Sequence, residues 1–321
     1  MKFMKNMYLM ASLALFILAG CSNDRYEGPD VPGTKATIWA NINCTQTRAN
    51  NTEWTIHDQI GVTVGSGDPR STNIPYEYSG TDGQPFNRIS EKELYIKSQI
   101  DIPVTAYYPY SGAEGLDPEE IEINTQDQTA ANQSKIDYMF AQTTASRTNP
   151  NISLLFFHKM SNLIFNFESE DPDANIGNLT YTLSGITIKG TFNTSTGEIF
   201  PEEATGEVST QPTLNTTSSL FLIPQTKENI ELEIAVGSVY YITTIENLNL
   251  KSGFAHTYKI TLKNLNEAPY ITISKGTISP WEPGEGGEIE APEYKPGNDP
   301  IIEVPEWSGS ENTNIETSPT E

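Results

Sequence analysis

From residue 36 onward the sequence repeats one pattern, a short apolar–polar alternation broken by Gly, Pro or Asn. In the run at 36–44, Ile38, Ala40, Ile42 and Cys44 occupy every second position. Successive strand side chains point to opposite faces, so such a run buries one face and wets the other. Leu179, Tyr181 and Leu183 repeat the spacing, as do Ile230, Leu232, Ile234 and Val236, and Tyr258, Ile260 and Leu262. β-Branched or aromatic runs at 60–64, 93–97, 104–108, 152–157 and 163–167 add to it, and Ile271 and Ile273 follow. With 23 Gly and 21 Pro spread through 321 residues, the chain turns too often for long helices. The polar stretch 113–135, interrupted by Pro118, leaves room for one short helix at most. The pattern predicts an all-β protein built of sandwiches.

The first 21 residues differ. Lys2 and Lys5 precede an apolar run at 8–19, too short to span a hydrocarbon core of about 30 Å. This is a signal peptide over 1–20, ending Leu18-Ala19-Gly20-Cys21. The ending resembles the bacterial lipobox, in which a small residue precedes an acylated cysteine. The resemblance implies cleavage between Gly20 and Cys21 and lipidation of Cys21. A tether of Gly, Pro and polar residues at 21–35 follows.

Charge excludes one class of partner. The chain carries 42 acidic against 19 basic residues, a net of −23, which repels phosphate backbones and argues against nucleic acid. Catalytic signatures are missing as well: there is no SxxK, GxSxG, HExxH, CxxC or P-loop. His57, His158 and His256 are far apart in sequence, and His158, inside Phe156-Phe157-His158-Lys159-Met160, reads as a hydrogen-bonded structural residue. Asp171-Pro172-Asp173-Ala174-Asn175 opens like a calcium loop, but Ile176 and Thr182 stand where Gly and Glu are required. Neither a metal nor a cofactor is expected. Trp39, Trp54, Trp281 and Trp307 could form a sugar platform or fill cores and strand ends. Cys44, in line with Ile38, Ala40 and Ile42, reads as a buried thiol.

The polar stretch 143–150 suggests a boundary, giving one sandwich at 36–145 and a second at 146–281. Beyond Trp281 the composition changes. Residues 282–321 hold eleven acids against Lys295 and read as an extended or disordered tail. Only 301–307 within it has strand-like apolar content.

Several segments together resemble the fimbrillin family, the Mfa-like pilins of type V pili in Gram-negative anaerobes. Thr47-Arg48-Ala49, Trp54 and Asp58-Gln59-Ile60-Gly61-Val62 are similar to its opening. Ala106-Tyr107-Tyr108-Pro109-Tyr110 and Phe156-Phe157-His158-Lys159-Met160-Ser161-Asn162-Leu163 follow. Gly190-Thr191-Phe192, Leu222-Ile223-Pro224, Tyr258-x-Ile260-x-Leu262 and Ile278-x-x-Trp281 complete the order. The resemblance covers about 36–281 and implies two tandem transthyretin-like β-sandwiches. It also implies a lipid-anchored outer-membrane precursor that is cut after an Arg, loses its first strand and accepts an extended segment of another pilin subunit.

Mapped here, the displaced strand carries Ile38, Ala40, Ile42 and Cys44, and the cut falls between Arg48 and Ala49. Arg48 equally reads as a surface residue of a polar loop. The candidate donor is 301–307, with Ile302 and Val304 on one face and Pro305 at its end. The expectation is a non-enzymatic subunit of adhesive fimbriae, displayed at the cell surface and meeting a host or bacterial ligand. The alternative is a standalone glycan-binding outer-membrane lipoprotein that works through exposed aromatics.

Overall fold

The structure is a computed structural model that describes residues 32–43, 53–65, 71–90, 93–170, 179–212, 216–237 and 239–263, and the backbone of strands at 270–273, 277–280 and 315–317. The first lobe contributes strands β1 (Thr34–Lys35), β2 (Thr37–Asn43), β3 (Gln59–Val64), β4 (Ile74–Glu77), β5 (Asn87–Arg88), β6 (Tyr95–Ile96), β7 (Ile102–Tyr108), β8 (Glu120–Asn124), β9 (Met139–Ala145) and β10 (Asn151–His158), with the helix α1 (Ala130–Ile136) between β8 and β9. Then come β11 (Ser161–Ser169), β12 (Leu179–Thr187), β13 (Lys189–Asn193), β14 (Ile199–Pro201), β15 (Thr205–Thr210), β16 (Thr217–Leu222), β17 (Gln225–Val236), β18 (Val239–Leu250), β19 (Phe254–Lys263), β20 (Tyr270–Ile273), β21 (Thr277–Pro280) and β22 (Ile315–Thr317). The protein is all-β, as the alternation predicts.

The first core closes by a change of partner. Strand order is β2-β10-β9-β7-β3-β4-β5. β10 meets β9 only at Phe157↔Phe140 and His158↔Met139, and otherwise runs parallel to β2, from Asn151↔Thr37 to Phe157↔Asn43. The run of strands thereby folds over itself. Ile152, Leu154 and Phe156 of β10 and Ile38 and Ala40 of β2 pack into one core with Ile60, Val62, Val104 and Ala106. β10 alternates strictly, with exposed Asn151, Ser153, Leu155 and Phe157 between its buried residues. The polar stretch 143–150 comprises the end of β9 and the turn into β10, closed by the Ser146↔Asn149 bridge, so both strands of this hairpin belong to the one core.

The second core lies between the β16-β11-β19-β20-β22 sheet and the β15-β12-β17-β18 sheet. Phe165 of β11 meets Tyr181 of β12 edge-on at 5.3 Å, a favoured aromatic geometry. β12 carries a bulge where pairing to β15 slips between Ser184 and Ile186. Gly185 there has φ +86, a conformation that Gly adopts without a Cβ clash. The outer face of β16 is covered too: Ile136 of α1 packs on Phe221, and Gln133 donates to Ser219 O at 2.6 Å.

A three-stranded sheet, β14-β13-β8, joins the lobes. β8 pairs antiparallel with β13, and β13 with β14. Beneath it Tyr107, Ile123, Tyr138 and Phe140 from before β10 pack with Met160, Phe192 and Ile223 from after it. The link between β10 and β11 is held from both sides. Lys159 N donates to Tyr138 O at 2.8 Å, and Gly253 N to Met160 O at 2.8 Å. From Gly33 the chain forms one compact unit.

Differences from the sequence reading are local. α1 is the short helix that 113–135 leaves room for, shifted to end at Ile136. The run at 93–97 yields only the two residues of β6. β15, β16 and β18 were not legible, because Ser, Thr and Asn fill many of their positions and blur the alternation. In the tail, Ile315–Thr317 adds to β20, whereas 301–307 lies outside the described residues.

Two predictions follow from the cores. Phe192 is fully buried and stacks on Tyr138 at 4.9 Å. Phe192→Ala should lower the unfolding free energy by about 3–5 kcal/mol in urea titrations. His256, in β19, accepts a hydrogen bond from Lys251 N at Nε2; burial, reinforced by the Lys251 charge, holds its imidazole down to about 4. Below its usual range only the unfolded chain protonates it, so stability is lost as pH falls toward that value. His256→Gln should flatten this loss, read as a smaller stability difference between about pH 7 and about pH 4.5 in paired titrations.

Candidate functional site

β2 is the terminal strand of its sheet, and its inner face is part of the core. Ile38 is 1 % exposed and Ala40 9 %, and Ile42, half-buried, packs against the same cluster. The three therefore share the face that the alternation assigned to them. Cys44, the fourth residue of that set, lies outside the described residues. So do Gly20 and Cys21, Arg48 and Ala49, Asp171-Pro172-Asp173-Ala174-Asn175, Trp281 and Trp307, and Ile302 and Val304.

One side of β2 is satisfied by β10. The other side faces individual donors and acceptors. Ala36 N donates to Leu94 O at 2.8 Å, and Phe86 N donates to Ile38 O at 2.8 Å. The indole Nε1 of Trp54 donates to Ala40 O at 3.0 Å. A carbonyl at a sheet edge needs a partner once water is excluded, and here side chain and loop supply it. The Trp54 ring is itself wedged edge-on among Phe86 (5.3 Å), Tyr108 (5.5 Å) and Phe156 (5.3 Å). Tyr108 OH donates to Asp58 Oδ1 at 3.0 Å, and Thr55 N donates to Asp58 Oδ2 at 2.6 Å. Burial raises the Asp58 carboxyl, with those hydrogen bonds opposing it. Burial also raises the Tyr108 phenol, helped by the Asp58 charge.

Trp54 is the contact to β2 that the alternation could not reveal. Its signal was its place in the motif between Arg48 and Asp58: a buried indole seeks an acceptor for its N–H. The arrangement is a clasp, in which loop residues hold an edge strand that has one ladder neighbour. The three histidines serve separate partners. His158 Nδ1 lies 2.8 Å from Asp137 Oδ1, both buried. His57 meets Glu77 at the surface, and His256 meets Lys251 N. Among the described residues no His, Cys, Asp and Glu gather into a metal-holding group, and no helix is long and apolar enough to cross a membrane.

Sandwiches joined by a shared sheet, with a clasped edge strand near the start, define a class of β-rich proteins, and comparison with known proteins gives the class its family. The fimbrillin-like family model matches residues 47–281, and the chain belongs to that family. No curated protein matches the sequence closely enough to be counted. Among solved structures it is similar to a candidate cell adhesion protein from Bacteroides ovatus, at 30% identity and TM-score 0.68, covering 78% of this chain and 98% of that one. It shares its fold with another from Bacteroides uniformis, at 19% identity and TM-score 0.63, covering 77% and 99%. The chain is thus a fimbrial or adhesion subunit, as the family defines it.

The clasp generates a test. Trp54→Phe keeps an aromatic ring but leaves the Ala40 carbonyl without its donor. Stability should fall by about 1–3 kcal/mol, and amide hydrogen exchange should quicken in β2 more than in β7.

Proposed function

We propose that the protein is a lipid-anchored precursor of a fimbrial subunit, released for assembly when cleavage after Arg48 frees β2. The observation that carries this reading is the geometry of β2. It is the first long strand, it lies at an edge, it has one ladder neighbour, and it contributes apolar side chains to the core. Arg48 follows it by a few residues in a polar sequence, suited to a protease. Loss of β2 would bare the β10 edge from Asn151 to Phe157 and empty the sites of Ile38, Ala40 and Ile42. Fully burying one such aliphatic side chain is worth about 1.5–3 kcal/mol, and the ladder adds its hydrogen bonds. An extended segment of another subunit, apolar at alternate positions, answers both needs.

The anchoring and donor steps belong to the same proposal. Cys21 would carry the lipid that holds the precursor at the outer membrane until Arg48 is cut. The tail would supply the donor, with Ile302 and Val304 as its apolar face. The lobes would divide between β10 and β11, where buried side chains pass from one core to the other, leaving the shared sheet as a stiff joint.

The experiment follows the two cysteines. Cys21 and Cys44 are the only ones in the chain, and both precede Arg48. Protein recovered from surface filaments should begin at Ala49 and take up no thiol reagent after denaturation. Arg48→Ala should leave a palmitate-labelled, thiol-positive precursor and no filaments, and Cys21→Ala should abolish palmitate incorporation. Filaments built from thiol-positive chains would sink the cleavage step. For the donor, Ile302→Asp with Val304→Asp should yield cleaved monomers; filaments of normal length would move the donor elsewhere.

A further inference from the structure

We propose that the cleft between edge strands β15 and β16 binds a neutral saccharide chain. The cleft measures about 710 Å³. It opens where the two sheets of the second core end, β15 being terminal in one and β16 in the other. Thr180 and Thr182 of β12 and Ser209 of β15 form one wall, and Thr217 to Ser219 of β16 the opposite wall. Gln126 and Asp127 form the rim, and they also line an adjoining cleft of about 510 Å³ with Asn124 and Asn132. The continuous surface suits an elongated ligand.

Its chemistry selects the ligand class by elimination. Every lining side chain except Pro212 ends in a hydroxyl, an amide or a carboxylate. Without a Lys, Arg or His, and with Asp127 at the rim, the cleft repels phosphate, sulfate and carboxylate. Among the described lining residues there is neither an aromatic nor a long aliphatic side chain for an apolar or planar ligand to pack on. One carboxylate is too little charged oxygen for a divalent cation. Hydroxyls and amides both donate and accept, which matches a neutral molecule dense in hydroxyl groups.

The walls are set in advance. Tyr181 OH and Ser218 Oγ lie 2.8 Å apart and tie the two sheets together beneath the cleft. Thr182 Oγ1 and Ser209 Oγ lie 2.8 Å apart across β12 and β15. Gln128 donates to Phe221 O and accepts from Phe221 N, both at 2.9 Å, fixing the rim loop to β16. Thr129 N donates to Asp127 Oδ1 at 2.9 Å, and hydrogen bonds from Thr129 hold the Asp127 carboxyl below its usual range, so it stays an ionised acceptor. A prepared surface loses less entropy when a ligand settles on it. No residue of β2 lines the site, and the proposal stands independently of strand exchange.

The test is saturation-transfer NMR on the intact protein with maltohexaose, mannohexaose, xylohexaose and chitohexaose as probes and sialyllactose as an anionic control. At least one neutral hexasaccharide should bind with a Kd of about 0.1–5 mM, and sialyllactose should not. Ser209→Trp, which fills the cleft from an exposed position, should weaken binding at least about tenfold, as should Gln126→Ala with Asp127→Asn, a pair that keeps an acceptor for Thr129. Unchanged unfolding midpoints will confirm that the variants fold. Binding by none of the four probes, equal binding by both variants, or preference for sialyllactose would overturn the assignment. Filament assembly by Ser209→Trp at the wild-type level separates this site from the assembly proposal.

Discussion

The parallel ladder between β2 and β10 is the contact on which the first lobe depends. β10 pairs with its hairpin partner β9 only at its far end, Phe157↔Phe140 and His158↔Met139, whereas along its other edge it pairs with β2 from Asn151 to Phe157. The same pairing brings Ile38 and Ala40 over the core. Parallel strands need a long crossover, and here the whole of the first lobe separates the two in sequence. The strand on which closure depends is thus β2, the first long strand of the chain.

Edge strands invite unwanted pairing, and the protein answers this with individual contacts. The outer carbonyls of β2 are taken by Trp54 and the Phe86 amide, and the outer face of β16 is covered by α1 and the Gln128 loop. The two solutions differ in consequence. Around β2 the contacts are a clasp on a strand with an apolar face. Around β15 and β16 they leave a rigid polar cleft.

The joint between the lobes constrains both. β8 from the first lobe pairs with β13 from the second, and Phe192 fills the aromatic cluster beneath them. His158 and Asp137 are buried where β10 gives way to β11, each giving the other a polar partner in an otherwise apolar setting.

The sequence by itself determined the class of fold and the inward face of β2. Alternation at Ile38, Ala40 and Ile42 is a local property, because the strand period of two forces alternate residues to one side whatever the partner. It determined the structural character of His158 for a similar reason: an imidazole inside an apolar run must find a polar partner. Tertiary structure alone decided what those partners are. That β10 would pair with β2, that Trp54 would reach the Ala40 carbonyl, and that Thr182, Ser209 and Ser218 would face one cleft depends on residues 14 to more than 100 positions apart. Ser- and Thr-rich strands such as β15 and β16 carry little alternation, and their places follow only when the sheets they edge have assembled.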